Sequence, residues 1–154
     1  MGFYAASLPT TSHVARPIVK FDASIPIYGD MSYRGKCPRE SVEQVTFFNH
    51  LRAQYPQSYG LIALHPRNEG ERHYTQAARQ RAEGMAIGAA DVIIPGAPSF
   101  VCEIKRRDHT LSAWQPGQVE FLIAAKNSGA FVCVALGYEA AWSAFNDWRR
   151  ESTT

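Results

Sequence analysis

The chain has 154 residues (17.1 kDa), enough for one domain with its own core and no need of disulfides or a structural metal: a chain of roughly 150 residues buries about 68–70% of its unfolded surface. Apolar residues make up 45% and charged residues 19%, which excludes a disordered chain. The net charge of +2 is too small to define a partner, no apolar run approaches the ~20 residues of a membrane span, and the N-terminus lacks the basic and apolar regions of a signal peptide, so a soluble, cytoplasmic protein is expected.

Residues 1–36 are rich in Pro, Gly, Ser and Thr and read as an N-terminal arm that packs on the body or on a second subunit. Val19–Phe21 and Ile25–Ile27 are short strand candidates, and Pro26 confines them to a sheet edge. A helix starts between 37 and 41, where Pro38 suits a first turn and Ser41 with Gln44 fits a capping box. Its apolar face is Val42, Val45, Phe48, Leu51 and Tyr55, widened by Phe47, and Pro56 stops it. Leu61–Leu64 reads as a short strand, His65–Gly70 as a loop, and residues 72–83 as a polar, Arg-rich helix facing solvent or a ligand.

Asp91–Ile94 and Phe100–Lys105 flank the turn signal Pro95-Gly-Ala-Pro98 and predict an antiparallel hairpin. A helix over 116–127 follows, with Val119, Leu122 and Ile123 inward and Gly129 as its stop. Phe131–Leu136 is continuously apolar, as in a strand covered on both faces. Glu139–Arg149 forms the last helix, with Trp142, Phe145 and Trp148 along one side. This order predicts an α/β domain with a mixed sheet over 37–150 and a short tail at 151–154. Cys102 and Cys133 sit in strand-like runs as small hydrophobes, Cys37 stands alone, and no Cys/His spacing suits zinc.

Glu103 and Lys105 lie inside an apolar run and, one pleat apart, point to the same face of their strand. Charges buried in a sheet must be paired or bind a metal. Asp91, at the start of the neighbouring strand, supplies a second carboxylate, and oxygen donors of this kind suit Mg²⁺ or Mn²⁺. Taken alone, the same pattern also fits a Glu103–Lys105 ion pair at a strand edge. The cluster Lys105-Arg106-Arg107, preceded by Arg67, Arg72, His73, Arg79 and Arg81, supplies positive charge around this segment, although taken alone such charges fit a solvated surface.

Together, Glu40…Gln44, Pro66-Arg-Asn68-Glu69-Gly70, Gly84-Met-Ala-Ile-Gly88-Ala-Ala-Asp91, Glu103-Ile-Lys105 and Ser112…Gln115…Gln118 resemble the PD-(D/E)XK nuclease signature, and more narrowly the VRR-NUC family of phage and bacterial nucleases. The resemblance spans about residues 38–140. The chain departs from the family pattern at Ala90, where a proline is usual, and its arm has no counterpart. Glu40 is preferred as the first-helix acid with Glu43 as the second candidate, and Gln118 is preferred over Gln115 by its spacing to Gly129.

The resemblance implies a restriction-endonuclease-like α/β core and metal-dependent hydrolysis of DNA. Asp91, Glu103, the Ile104 carbonyl and Glu40 would hold Mg²⁺ or Mn²⁺, Lys105 would orient or deprotonate water and contact the phosphate, and Gln118 would position the lysine or the water. Arg67, Arg72, Arg79, Arg81, Arg106 and Arg107 would contact phosphates, Asn68 the backbone or a base edge, and Trp114 a base, although turn and packing roles fit Asn68 and Trp114 better. His65 and His73 are read as structural or phosphate-binding, because the pattern requires no histidine. Small stand-alone members resemble phage enzymes acting on branched DNA such as Holliday junctions, which implies a homodimer, with the arm and the aromatic last helix as candidate surfaces, acting in the host cytoplasm. A DNA-binding accessory protein of recombination or packaging that does not cut, a nuclease indifferent to branching, and a purely structural α/β protein are the alternatives.

Overall fold

A four-stranded mixed sheet carries the chain. The computed structural model describes residues 20–66 and 74–153. In chain order the elements are β1 (Ile27–Tyr28), α1 (Glu40–Gln54), the single turn α2 (Tyr59–Ile62), α3 (Tyr74–Ala82), β2 (Val92–Ile94), β3 (Phe100–Lys105), a 3₁₀ turn (His109–Leu111), α4 (Gln118–Asn127), β4 (Phe131–Leu136) and α5 (Tyr138–Ser152). The strand order is β1-β4-β3-β2, with β4 parallel to both β1 and β3, and β2 antiparallel to β3. β1 is an edge strand, as Pro26 demands, and the Pro26 carbonyl still accepts the Val134 N–H.

The alternation of side chains divides the core in two. Val92, Ile94, Phe100, Cys102, Ile104, Cys133 and Ala135 pack with Phe47 and Leu51 of α1 and Phe145 and Trp148 of α5. Val101, Val132 and Val134 pack on the other face with Leu122 of α4. Glu103 and Lys105 share the Val101 side, so they point beneath α4. Every residue of β3 is buried. Cys102 and Cys133 face one another across β3 and β4, both free thiols in the core.

Four expectations are corrected. Leu61–Leu64 is not a strand: α2 is a helical turn seated against α1, and only Leu64 pairs, in an isolated bridge to Ile93. Gly60 lies so close to α1 that a Cβ there would stand 2.7 Å from the Tyr55 carbonyl oxygen. On α1 the buried stripe is Glu43, Phe47, Phe48 and Leu51, whereas Val42 and Val45 are 52% and 57% exposed; an inward acid displaces the stripe. The Ser41–Gln44 capping box does not form, because the helix begins at Glu40 after Arg39 with no side-chain cap. Lys20 and Phe21 are likewise outside any strand, and Val19 lies outside the described residues.

Residues 20–36 pack on the body. The Lys20 carbonyl accepts the Trp114 indole N–H at 2.8 Å, Asp108 accepts the Gly35 N–H at 3.0 Å, and Phe21 meets the rings of His109 and Trp114 edge-on. The aromatic side of α5 packs inside the chain: Phe145 and Trp148 are buried and Trp142 half-buried. Among the described residues no helix is long and apolar enough to cross a membrane.

Candidate active site

The site forms where the hairpin meets α4. Continued by one residue, the β2–β3 register sets Asp91 opposite Glu103. Asp91 precedes the ladder, and its Oδ2 accepts the Ile104 N–H at 2.9 Å, which fastens the carboxylate to β3. Glu103 and Lys105 are each 1% exposed. The Lys105 Nζ donates to Glu103 Oε1 (2.9 Å), Gln118 Oε1 (3.0 Å) and the Ala113 carbonyl (3.1 Å), and lies 4.7 Å from the centre of the Trp114 ring. Gln118 closes the network: its Nε2 donates to Glu103 Oε1 at 2.6 Å, and its Oε1 also accepts the Gln115 N–H. Three acceptors and a ring face satisfy the buried ammonium.

Glycine places Gln118. Gly88 has φ +70°, and a Cβ there would lie 2.1 Å from the Gly117 carbonyl carbon and 2.4 Å from the Gln118 nitrogen. The loop before Asp91 thus rests directly on the first residues of α4, and both ends of the site are set by one backbone contact.

Glu103 accepts both its bonds on Oε1, while its buried Oε2 has no hydrogen-bond partner. Burial, and then the charge of Asp91, push its carboxyl up to about 8 despite Lys105. Asp91 is raised too, by burial against the pull of the Ile104 N–H and Lys105, with Glu40 raising it further. Both carboxyls are held above their ordinary range because a second negative charge is costly in this buried pocket, and one buried oxygen lacks a partner. A hard cation fits that donor set. Among the described residues no three His, Cys, Asp or Glu side chains form a ready metal cluster; Glu40 acts on both carboxylates through its charge alone.

Glu40 and Glu43 occupy different surroundings. Glu43 is buried, accepts the Tyr138 N–H at the start of α5 at 2.7 Å, and lies 3.5 Å from the Arg107 Nε. It ties α1 to α5. Glu40, one turn earlier and half-buried, is the acid whose charge is felt at Asp91 and Glu103.

Of the cations, Arg107 is shared between Glu43 and Glu139. Arg79 pairs with Glu83 on the exposed side of α3, and Arg81 is exposed. Arg106 donates to the Cys37 carbonyl at 2.9 Å and lines a groove of about 820 Å³ with Lys36 and Pro38, directly before Glu40. Lys36 and the exposed Arg39 join these cations, and their signal in the sequence is the run Arg34-Gly-Lys-Cys-Pro-Arg39, with three cations ahead of the first-helix acid. Trp114 is held by Lys20 and Lys105. Arg67, Asn68, Arg72 and His73 lie outside the described residues.

This architecture, a mixed sheet flanked by helices with acids and a lysine on adjoining strands, is α/β and restriction-endonuclease-like. A solved structure described as a VRR_NUC domain protein shares the fold, with a TM-score of 0.57 and 21% identity over 77% of this chain and 92% of its own. No family model and no curated protein matches the sequence.

Proposed function

We propose that the chain is a metal-dependent endonuclease of the VRR-NUC type that hydrolyses DNA phosphodiester bonds, with branched DNA as its substrate. The observation that carries this reading is the buried Asp91–Glu103–Lys105–Gln118 cluster, with its bare Glu103 oxygen, on a fold shared with a VRR_NUC domain protein. Asp91, Glu103, the Ile104 carbonyl and Glu40 would hold Mg²⁺ or Mn²⁺. The bound ion supplies positive charge against the charge growing on the phosphate and makes water more acidic.

The chain's own residues do the rest. Gln118 holds Lys105 from one side and Glu103 from the other, so the lysine cannot swing away. All three Lys105 N–H bonds are committed, to Glu103, Gln118 and the Ala113 carbonyl, and they hold the ammonium beside the carboxylates, where it would face a phosphate oxygen or the attacking water. Trp114 works through Lys105, keeping the ammonium extended, rather than by stacking on a base. Lys36, Arg39 and Arg106 beside the groove, with Arg79 and Arg81 on α3, neutralise phosphates, which gives salt-dependent affinity with little sequence preference. Paired cuts in a four-way junction require a two-fold homodimer, and the reading places the enzyme in the cytoplasm.

Cleavage of labelled four-way junction, flap and linear duplex in Mg²⁺ or Mn²⁺ tests this. The expected result is junction cutting at least about tenfold faster than duplex cutting. Equal rates keep the chemistry and remove the branch preference. Tight binding with no cutting of any substrate replaces the enzyme with a DNA-binding accessory protein.

A further inference from the structure

The cluster also contacts a histidine that its motifs do not include. Leu64 and Ile93 exchange both backbone hydrogen bonds, each 2.9 Å, on the outer edge of β2. The next residue, half-buried His65, places Nδ1 2.8 Å from the backbone carbonyl oxygen of Asp91. A carbonyl only accepts, so Nδ1 carries the proton in this contact. Asp91 lies just outside the β2–β3 ladder, where no strand pairing holds its main chain. It is pinned instead at two points: the carbonyl by His65 and the carboxylate by the Ile104 N–H. The Leu64–Ile93 bridge sets the ring in place, and this gives the otherwise exposed Leu64 a reason to pair.

We infer that His65 is a positioning residue for Asp91, its Nδ1–H setting the backbone so that the carboxylate stays opposite Glu103 and open to a divalent cation. This rests on the proposed function, since it assigns His65 a part in cation binding at the same site. Partners of this kind, one shell removed from a metal, are worth about 10–100-fold in affinity.

Asn and Gln separate the two ring nitrogens. The Asn amide nitrogen stands where Nδ1 stands, and the Gln amide nitrogen where Nε2 stands. Mn²⁺ is titrated calorimetrically into wild type, His65→Asn, His65→Gln and His65→Ala without DNA, with the Tm of each measured in EDTA. His65→Asn is expected to bind Mn²⁺ within about threefold of wild type, and His65→Gln and His65→Ala about tenfold or more weaker. A purely structural role would lower the EDTA Tm of the variants and leave Mn²⁺ affinity of the folded protein unchanged; that result overturns the inference. So does His65→Asn binding as weakly as His65→Ala. If wild type binds no Mn²⁺, the proposed function fails and this inference with it, whereas binding by wild type and equal binding by every variant sinks the inference alone.

Discussion

Glu103→Gln is expected to abolish cation binding and cleavage while removing the loss of metal-free stability that the wild type suffers as pH rises. The sign follows from the Glu103 carboxyl, which sits at about 8 in the folded protein against an ordinary value of 4.5. Between those two values the folded state keeps a proton that the unfolded state has released. Stability therefore falls across that window and the loss is complete above the upper value. Each pKa unit corresponds to about 1.4 kcal/mol, and 1 kcal/mol moves Tm by roughly 2–4 °C in a chain of this size. Glutamine carries no charge to bury at any pH. Its oxygen can still accept from Lys105 and Gln118, but its amide nitrogen falls where Oε2 has no partner, which costs about 1–3 kcal/mol. The variant thus starts lower and stays flat. In EDTA, wild-type Tm should drop by at least about 4 °C more than that of Glu103→Gln between about pH 5.5 and 8.5. Added Mn²⁺ should restore the wild type most strongly at the higher pH and leave the variant unmoved, because the cation takes the place of the proton. Parallel Tm profiles, or an equal rise in both proteins, would show that Glu103 is not the group that carries the buried charge.

Among the described glycines, Gly88→Ala should be the most damaging added methyl group. The added Cβ would lie 2.1 Å from the Gly117 carbonyl carbon and 2.4 Å from the Gln118 nitrogen, and both are backbone atoms that cannot rotate aside. The left-handed φ of +70° adds about 1–2 kcal/mol for any residue with a side chain. Relief requires moving the start of α4, and with it the amide of Gln118 that holds Lys105 and Glu103 together. A loss beyond about 4 kcal/mol is expected, or a Tm lower by more than about 8 °C, with cleavage lost in whatever folds. Gly84→Ala is the control: its φ is +99°, but a Cβ there would meet nothing within 4 Å, so only the conformational cost remains. If Gly88→Ala is no worse than Gly84→Ala, the Gly88–Gly117 contact does not organise the site.

The parts legible in the sequence share a physical cause. β4 is apolar throughout because it is central and covered on both faces, and the hairpin announces itself by two apolar runs about a proline-glycine turn. Glu103 and Lys105 are legible because charges inside such a run must find partners. What remained hidden depends on contacts distant in sequence. Periodicity marks where apolar residues recur, so it assigned Val42 and Val45 to the core and missed that Glu43 turns inward to hold the first N–H of α5. The apolar run Leu61–Leu64 has strand length, and nothing local reveals that α1 seats it as a helical turn. Gly88 stands within the Gly84…Asp91 motif, but its contact with Gly117 cannot be read along the chain. His65 carried no motif at all; its contact is with the Asp91 main chain, which no side-chain pattern reports.

The most direct test of the account follows cleavage of a labelled four-way DNA junction by wild type and Lys105→Met, each with Mn²⁺ and with EDTA, with Tm confirming that the variant is folded. Wild type should cut with Mn²⁺ and not in EDTA, and Lys105→Met should cut at least about a hundredfold more slowly with DNA binding retained. Cutting in EDTA, or equal cutting by the folded variant, would contradict the assignment of the Asp91–Glu103–Lys105 cluster as the hydrolytic centre.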